Sequence, residues 1–423
     1  MIKELQIRPF ARPLFIWIVG IVLQSFCCVY NYSFYLLFLP FLVLFLSVLF
    51  IKRENSFCYD GRWLWGSIFF TFLLFLSIQK TKIQQVDLLK SPSKSYMYQY
   101  SEKIQKCLLE PFNNLNLTDQ EKQVLAAITF GYRKGMDKRV QKQFSVTGVA
   151  HLLAVSGFHV AIVYSFLSFL LSLFFRKEWG KWIQYIFIVL CLWFFVLITG
   201  FTASAIRAVL MLTLYLTGHQ MGKLIERYNI LIASAFCMLV YNPLYLFDIG
   251  FQLSYLAVVS VLYFQPRLQS FMKIRNPLFR TPWKWITVTL SAQLGTVFLC
   301  LYYWGNFPTV FLFVNLPLTF LATLLIPVGL LWITLSILLS PCEELENVVE
   351  LLTRSMFDVV EIFSQVPGCT YTFHFDFWMM GVAYGMGIIG LLFIKTKRIK
   401  YLFMALLLLL VFLLVRLIDG FAV

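Results

Sequence analysis

The residues of this chain that are equipped for chemistry are few, and they sit inside otherwise apolar runs. His151, Ser156 and His159 share the stretch His151–Val160. Ser204 and Arg207 lie seven residues or fewer after Gly200, and Asp248 and Gln252 lie four apart in the next such stretch. Gln293 stands in Ser291-Ala292-Gln293-Leu294-Gly295, and Asn315 two residues before Pro317. These side chains offer hydrogen-bond donors and acceptors, and Arg207 adds a permanent cation. Ser156 beside two histidines suggests a hydrolytic nucleophile, but no carboxylate lies nearby in sequence to orient a base. The four histidines (His151, His159, His219, His374) form no HxH or HExxH pattern and no cluster with cysteine, so no metal site is expected. A phosphate-binding GxxxxGK[ST] loop is absent from the sequence. The expectation is a protein without cofactor or catalytic residue.

The elements that must position these groups are membrane helices. Of 423 residues, 60% are hydrophobic and 13% charged, against about 45–50% and about 25% in soluble domains. With 45 Phe, 21 Tyr and 11 Trp, a soluble fold lacks the interior to hide its apolar surface. Lipid removes that constraint. Runs near the roughly 20 residues needed to span fall at 14–30, 33–50, 63–79, 149–174, 182–199, 202–218, 228–241, 250–264, 285–304, 309–340, 377–394 and 400–417. The long 309–340 run carries Pro317 and Pro327 and is expected to be two short helices in a tight hairpin. The fold class is therefore all-α, a polytopic membrane protein of about 11–13 transmembrane helices. The first run follows Lys3, Arg8 and Arg12 without a small-residue cleavage site and is expected to be retained.

Lys and Arg placement orients these spans. With the N-terminus inside, the cytoplasmic pieces, among them 51–62, 265–284 and 395–400, collect 20 of the 35 Lys and Arg. The short outer turns at 31–32, 200, 241–243 and 305–308 carry none. That is the positive-inside pattern, and it accounts for the net charge of +15 without recourse to nucleic acid. Outside, 80–147 is polar with helical patterning around 98–110 and 118–130. At 343–365, Leu345, Val348, Leu352, Met356, Val359 and Phe363 recur at spacings of three and four, the stripe of an amphipathic helix on the outer face or across the bundle mouth. Cys342 and Cys369 bracket that segment. In an oxidising compartment they could pair, and two free thiols are the other possibility.

An ionisable residue facing lipid costs roughly 2.5–3.5 kcal/mol on insertion scales, so Arg207 must meet a partner or water. Asp248, opening a later span at similar depth, is the nearest acidic candidate; Ser, Gln and backbone acceptors are the alternative. The polar groups either converge on one cavity or serve as helix–helix glue.

These segments resemble the ComEC-type competence protein family. The match starts with HLLAVSGFHV at 151–160. Gly200, Ser204, Arg207, Ala208 and Met211 follow, then Asp248-x-Gly250-Phe251-Gln252-Leu253-Ser254, then Ser291-Ala292-Gln293 with Gly295, then Asn315 and Pro317. Upstream, Ala126–Gly131, Phe144 and Gly148 also fit. The resemblance covers about 120–345 and implies an inner-membrane channel that brings single-stranded DNA into bacteria. It implies N-terminal membrane helices (1–79), a short extracytoplasmic segment (80–147), the channel core (148–341), an outer amphipathic segment (342–376) and C-terminal membrane helices (377–423). Family members usually carry an outer OB-like domain and many a metallo-β-lactamase-like domain. Here 80–147 is short and helical, and no HxHxDH is present, so the expectation is the channel core alone. In that reading His151, Ser156, His159, Ser204, Arg207, Asp248, Gln252, Gln293 and Asn315 line the DNA path, and Trp193, Tyr255 and Tyr302 offer base-stacking surfaces. With no energy-coupling motif in the chain, the driving force is expected from a cytoplasmic translocase or helicase, from strand capture or from ion coupling, and the expected partners besides lipid and DNA are such a translocase or helicase and an outer DNA-delivery protein. The alternatives are a secondary transporter of a small polar solute, since broken helices suit that role too, and a scaffold subunit that has lost transport.

Thiol labelling of cysteines engineered into 80–147 and into 265–284 is expected to find the two sites on opposite faces of the membrane. Labelling from the same face would overturn this topology.

Overall fold

A computed structural model describes residues 8–29, 42, 62–89, 96–174, 178–223, 226–272, 274–339, 343–373 and 375–421. The run expected to span at 33–50 lies outside them except for Leu42, as do Lys273, Cys342 and His374. Among the described residues the chain is almost entirely helical, a polytopic all-α membrane protein. In order the helices are α1 (Ala11–Val29), α2 (Arg62–Leu89), α3 (Tyr96–Leu109), α4 (Asp119–Phe130), α5 (Lys138–Val146), α6 (Gly157–Phe174), α7 (Glu178–Ile198) and α8 (Ala203–Gln220). There follow α9 (Arg227–Tyr241), α10 (Ile249–Phe271), α11 (Pro277–Trp304), α12 (Phe311–Leu338), α13 (Glu343–Ser364), α14 (Phe377–Thr396) and α15 (Ile399–Phe421). Five of these, including α10, α11, α12 and α14, are long and apolar enough to cross a membrane by length and composition.

The chain divides into two compact units. The first comprises 1–136, 151–255 and 321–354; the second comprises 137–150, 256–320 and 355–423.

In the first unit α1 and α2 pack closely. A Cβ on Gly20 would lie 2.6 Å from Ser77 Oγ, and that hydroxyl donates to the Trp17 carbonyl at 2.7 Å. Trp17 Nε1 donates to the Leu239 carbonyl at 3.1 Å. Around these lies a core of Trp17, Ile21, Leu73, Met238, Leu239 and Phe251. α2 continues ten residues past its expected end at 79, through Lys80 and Lys82, because nothing in that polar stretch breaks a helix.

The helical patterning of 80–147 is realised as α3 and α4, but the segment is not merely a polar cap. Every residue of α4 from Val124 to Phe130 is buried, as expected of a helix that is apolar all round. Its start is fixed by a capping box in which Thr118 and Glu121 bond each other's backbone N–H, and its end by Gly131 at φ 75°. A Cβ at Gly131 would also strike Val155 Cγ2 at 2.7 Å.

The hairpin expected in 309–340 is overturned. α12 is a single helix of 28 residues running through both prolines. A proline costs a helix its hydrogen bond, but breaking out into a turn inside the apolar run would strand more backbone groups than it would free. Within the unit, the later half of α12 and the first half of α13 pack on the 96–131 segment. Phe112 meets Trp332 at 5.4 Å, a Cβ on Gly329 would touch Thr129 at 2.8 Å, and Asn116 N–H donates to Glu350 at 2.7 Å. The amphipathic α13 covers the expected range, with its buried stripe rotated to Val349, Thr353, Met356 and Val360; Val348, expected inside, is 43% exposed.

In the second unit α11, α14 and the later part of α10 meet at Gly295. A Cβ there would fall 1.8 Å from Ser260 Oγ and 2.5 Å from Ser260 Cβ, while Tyr384 OH donates to the Gly295 carbonyl at 2.8 Å. Two short strands that the sequence did not announce, β1 (Asn306–Pro308) and β2 (Thr370–Thr372), pair antiparallel with Pro308 opposite Thr370. Gly148, at φ 79°, packs against Pro308.

Gly295→Ala is expected to destabilise the folded chain by roughly 1–3 kcal/mol through overpacking, read as a lowered midpoint of thermal unfolding in detergent. Ser260→Ala should not rescue it, since Ser260 Cβ itself is in the way.

Candidate functional site

Three helices of the first unit, α6, α8 and α10, each open on a polar turn, and these turns hold most of the candidate residues. The first is Ser156-Gly157-Phe158-His159. His159 is fully buried, and its Nδ1 lies 3.3 Å from Ser156 N–H and 3.0 Å from Ser156 Oγ. The imidazole thus accepts from the residue that precedes the helix, as the third-position carboxylate of a capping box does. With Nδ1 accepting, the proton belongs on Nε2, which is buried. The Ser–His proximity is accounted for by the helix start and needs no nucleophile. His151 is exposed in the preceding 3-10 turn. A Cβ on Gly157 would sit 3.8 Å from the Ala208 Cβ, so the first turn of α6 lies beside Arg207's neighbour on α8.

The second turn begins with a sharp reversal. Gly200 has φ 76° and Phe201 φ 53°, after which Thr202 leads into α8 without a side-chain cap. One turn on, Arg207 is only 3% exposed. Its Nη2 donates to the Gly250 carbonyl at 2.9 Å, and its Nε and Nη1 have no partner among the described residues. Ser204 is half-buried on the same helix.

The third turn belongs to α10. Asp248, the expected counter-ion of Arg207, accepts from Phe251 N–H at 2.8 Å, and its charge acts on Arg207 without a direct ion pair. It caps the helix that carries Arg207's acceptor. The reason is local: an Asp just before a helix finds an unpaired N–H three residues on more readily than a distant guanidinium. Of the two kinds of partner expected for Arg207, the backbone acceptor takes the hydrogen bond, while Asp248 contributes charge attraction. Gln252 Nε2 donates to the Leu246 carbonyl at 3.0 Å. Nearby, Tyr255 stacks on Phe251 at 4.4 Å and its hydroxyl meets Ser234 Oγ at 3.2 Å.

Gln293 and Asn315 belong to the second unit. Asn315 Nδ2 donates to Thr289 Oγ1 at 2.7 Å, a helix–helix tie between α12 and α11. Gln293 is half-buried on α11. Among the expected stacking residues, Tyr302 packs on Tyr303 and Phe377, and Trp193 is 37% exposed on α7. Cys369 is a free thiol 3.8 Å from the Ser364 carbonyl; its pairing with Cys342 falls outside the described residues.

Sequence reasoning passed over Thr202 and the Gly250 carbonyl. A Ser or Thr immediately before a helix is a readable start signal, so Thr202 was within reach. A main-chain carbonyl carries no sequence signature.

Asp248→Asn is expected to leave stability within about 0.5 kcal/mol, because the amide oxygen still accepts from Phe251 N–H. Asp248→Ala should cost about 1 kcal/mol. Were Asp248 the buried counter-ion of Arg207, the Asn variant would lose about 3–5 kcal/mol. Thermal unfolding of both variants distinguishes the two roles.

A family model described as "Competence protein" matches residues 128–398, a range that contains all nine candidate path residues. The chain is 30% identical over 199 residues to ComE operon protein 3 of Bacillus subtilis (strain 168). That match covers 46% of this chain and 24% of the relative, so the chain spans about a quarter of the length of the curated relative. No solved structure matches. With well over half of its length matched, the chain belongs to the competence protein family, as a multi-pass membrane protein of the ComEC type.

Proposed function

We propose that this chain forms a membrane channel that conducts single-stranded DNA inwards during bacterial natural transformation. The observation that carries the reading is Arg207: a cation buried within an apolar helix, with donors that no group among the described residues accepts, in a chain of the competence family. Retaining such a group costs several kcal/mol, which a ligand-handling role accounts for. The transported strand is a polyanion, and it needs a path with cationic and donor groups along it. His151, Ser156, His159, Ser204, Arg207, Asp248 and Gln252 supply these in the first unit; Gln293 and Asn315 supply them in the second.

The chain then resides in the bacterial plasma membrane with its N-terminus in the cytoplasm. The loop between α10 and α11 and the turn between α14 and α15 face inwards. Segments 256–320 and 377–418 contain no Asp or Glu, and Arg267, Arg275, Arg280, Lys284, Lys395 and Lys400 lie at their cytoplasmic ends. Such an end draws an emerging strand by counterion release. The channel moves DNA without cutting it. The driving force comes from a cytoplasmic translocase or helicase, and the strand is delivered by an outer DNA-binding protein.

A strain lacking the protein is expected to keep labelled DNA outside, with none reaching the nuclease-protected cytosolic pool. Uptake at the normal rate, with no second family member present, would overturn the reading. Normal DNA uptake together with loss of transport of a small polar solute would return the chain to the secondary-transporter class.

A further inference from the structure

The N-terminal turn of α8 gathers more hydrogen-bond donors than the protein itself uses. Thr202 gives the helix no side-chain cap, and its Oγ1 is buried without a partner. The first internal bond of the helix runs from Ile206 N–H to the Thr202 carbonyl at 3.0 Å. The N–H groups of Ala203, Ser204 and Ala205 therefore precede the hydrogen-bond ladder, as the leading groups of any helix do. Arg207 stands one turn further on. Side chains in a helix lean towards its N-terminus, which is the direction of this turn. Its Nη2 is held by the Gly250 carbonyl, and Nε and Nη1 keep three N–H hydrogens unclaimed. The positive end of the helix dipole adds to the guanidinium charge.

We infer that the α8 N-terminal turn and Arg207 form a binding site for a phosphate group, which in the strand-conducting reading, on which this rests, is a phosphodiester of the transported DNA. Backbone N–H groups at a helix start, a hydroxyl and an arginine together match a tetrahedral oxyanion. The site lies just beneath the surface: Gly250, whose carbonyl orients Arg207, is exposed, and so are Phe247 and Asp248. Asp248, whose charge acts on Arg207, also accepts from Phe251 N–H at 2.8 Å, so a phosphate competes with this carboxylate for the guanidinium. A Cβ at Gly250 would come within 3.1 Å of the Asp248 carboxylate and 3.8 Å of Arg207 Nη2, so a side chain there would crowd both groups. The bond to Gly250 holds the guanidinium in one orientation, so little further order is needed when an anion arrives.

The full chain, purified in detergent, is titrated with a fluorescent single-stranded oligonucleotide over a range of salt, alongside the same oligonucleotide with neutral methylphosphonate linkages. Arg207→Gln is expected to weaken binding of the phosphodiester strand about ten-fold and to reduce the salt slope by about one, while hardly altering the weaker binding of the neutral strand. Should Arg207→Gln fail to accumulate, Thr202→Val keeps the Arg207–Gly250 bond and is expected to weaken the phosphodiester strand two- to five-fold. Wild-type affinity and slope in whichever variant folds would overturn the site and leave the strand-conducting reading intact. Should the wild-type chain bind no strand, inorganic phosphate replaces it, read as a shift in the thermal midpoint. A shift in the wild type that the variant lacks keeps the site and makes free phosphate its ligand; no shift in either overturns it.

Discussion

Inside a bilayer, every backbone N–H and C=O must be satisfied by the protein itself, and much of this structure follows from that one demand. α12 runs unbroken through Pro317 and Pro327 because a turn between them would expose more polar backbone than two missing N–H groups do. Helix starts are bonded by nearby side chains: Thr118 for α4, Glu226 for α9, Asn276 for α11 and Asp248 for α10. Threonines inside helices fold back on their own carbonyls, as Thr129 does on Leu125 and Thr353 on Val349. α8, like α14, opens without a side-chain cap, and a buried arginine follows one turn into α8.

The same demand explains what sequence alone could and could not deliver. Long apolar runs show plainly where helices lie, since no other structure hides so much backbone and so many aromatics at once; α6 to α11, α14 and α15 follow directly. Proline misled at α12, because its effect on a helix in water does not carry over to a helix whose surroundings offer no alternative partner. The stripe of α13 was misjudged by one residue, since Leu and Val at successive positions make several registers nearly equivalent and only the neighbouring surfaces decide among them. The sequence shows α4 as a helix but not as a buried one: a buried run of seven residues, six of them apolar, is too short to read as a span, and the surfaces that enclose it come from distant parts of the chain.

The candidate site shows the same division. Residue types announced Arg207, Asp248 and the His159 turn, because charges and imidazoles in apolar runs are conspicuous. Their partners were less accessible. Arg207 bonds a main-chain carbonyl, and Asp248 serves the helix it introduces. Both outcomes reflect proximity: a short side chain satisfies the nearest unpaired backbone group, and a long one reaches across to a neighbouring helix. Close approach is in turn made possible by small residues. Gly20 against Ser77, Gly295 against Ser260 and Gly157 beside Ala208 bring helix axes near enough for such bonds to form, as is usual where lipid supplies no hydrophobic drive for helices to associate.

The enclosure of α4 has a consequence for how the protein is made. Asn116 bonds Glu350, a partner 234 residues away, and Phe112 and Thr129 rest on Trp332 and Gly329. Contacts so distant in sequence form late. As the chain emerges from the ribosome, the apolar face of α4 has been synthesised long before the surface that will cover it. Until α12 and α13 have entered the membrane, that helix waits as an uncovered, aggregation-prone element, so the nascent protein is most vulnerable during the synthesis of its middle third.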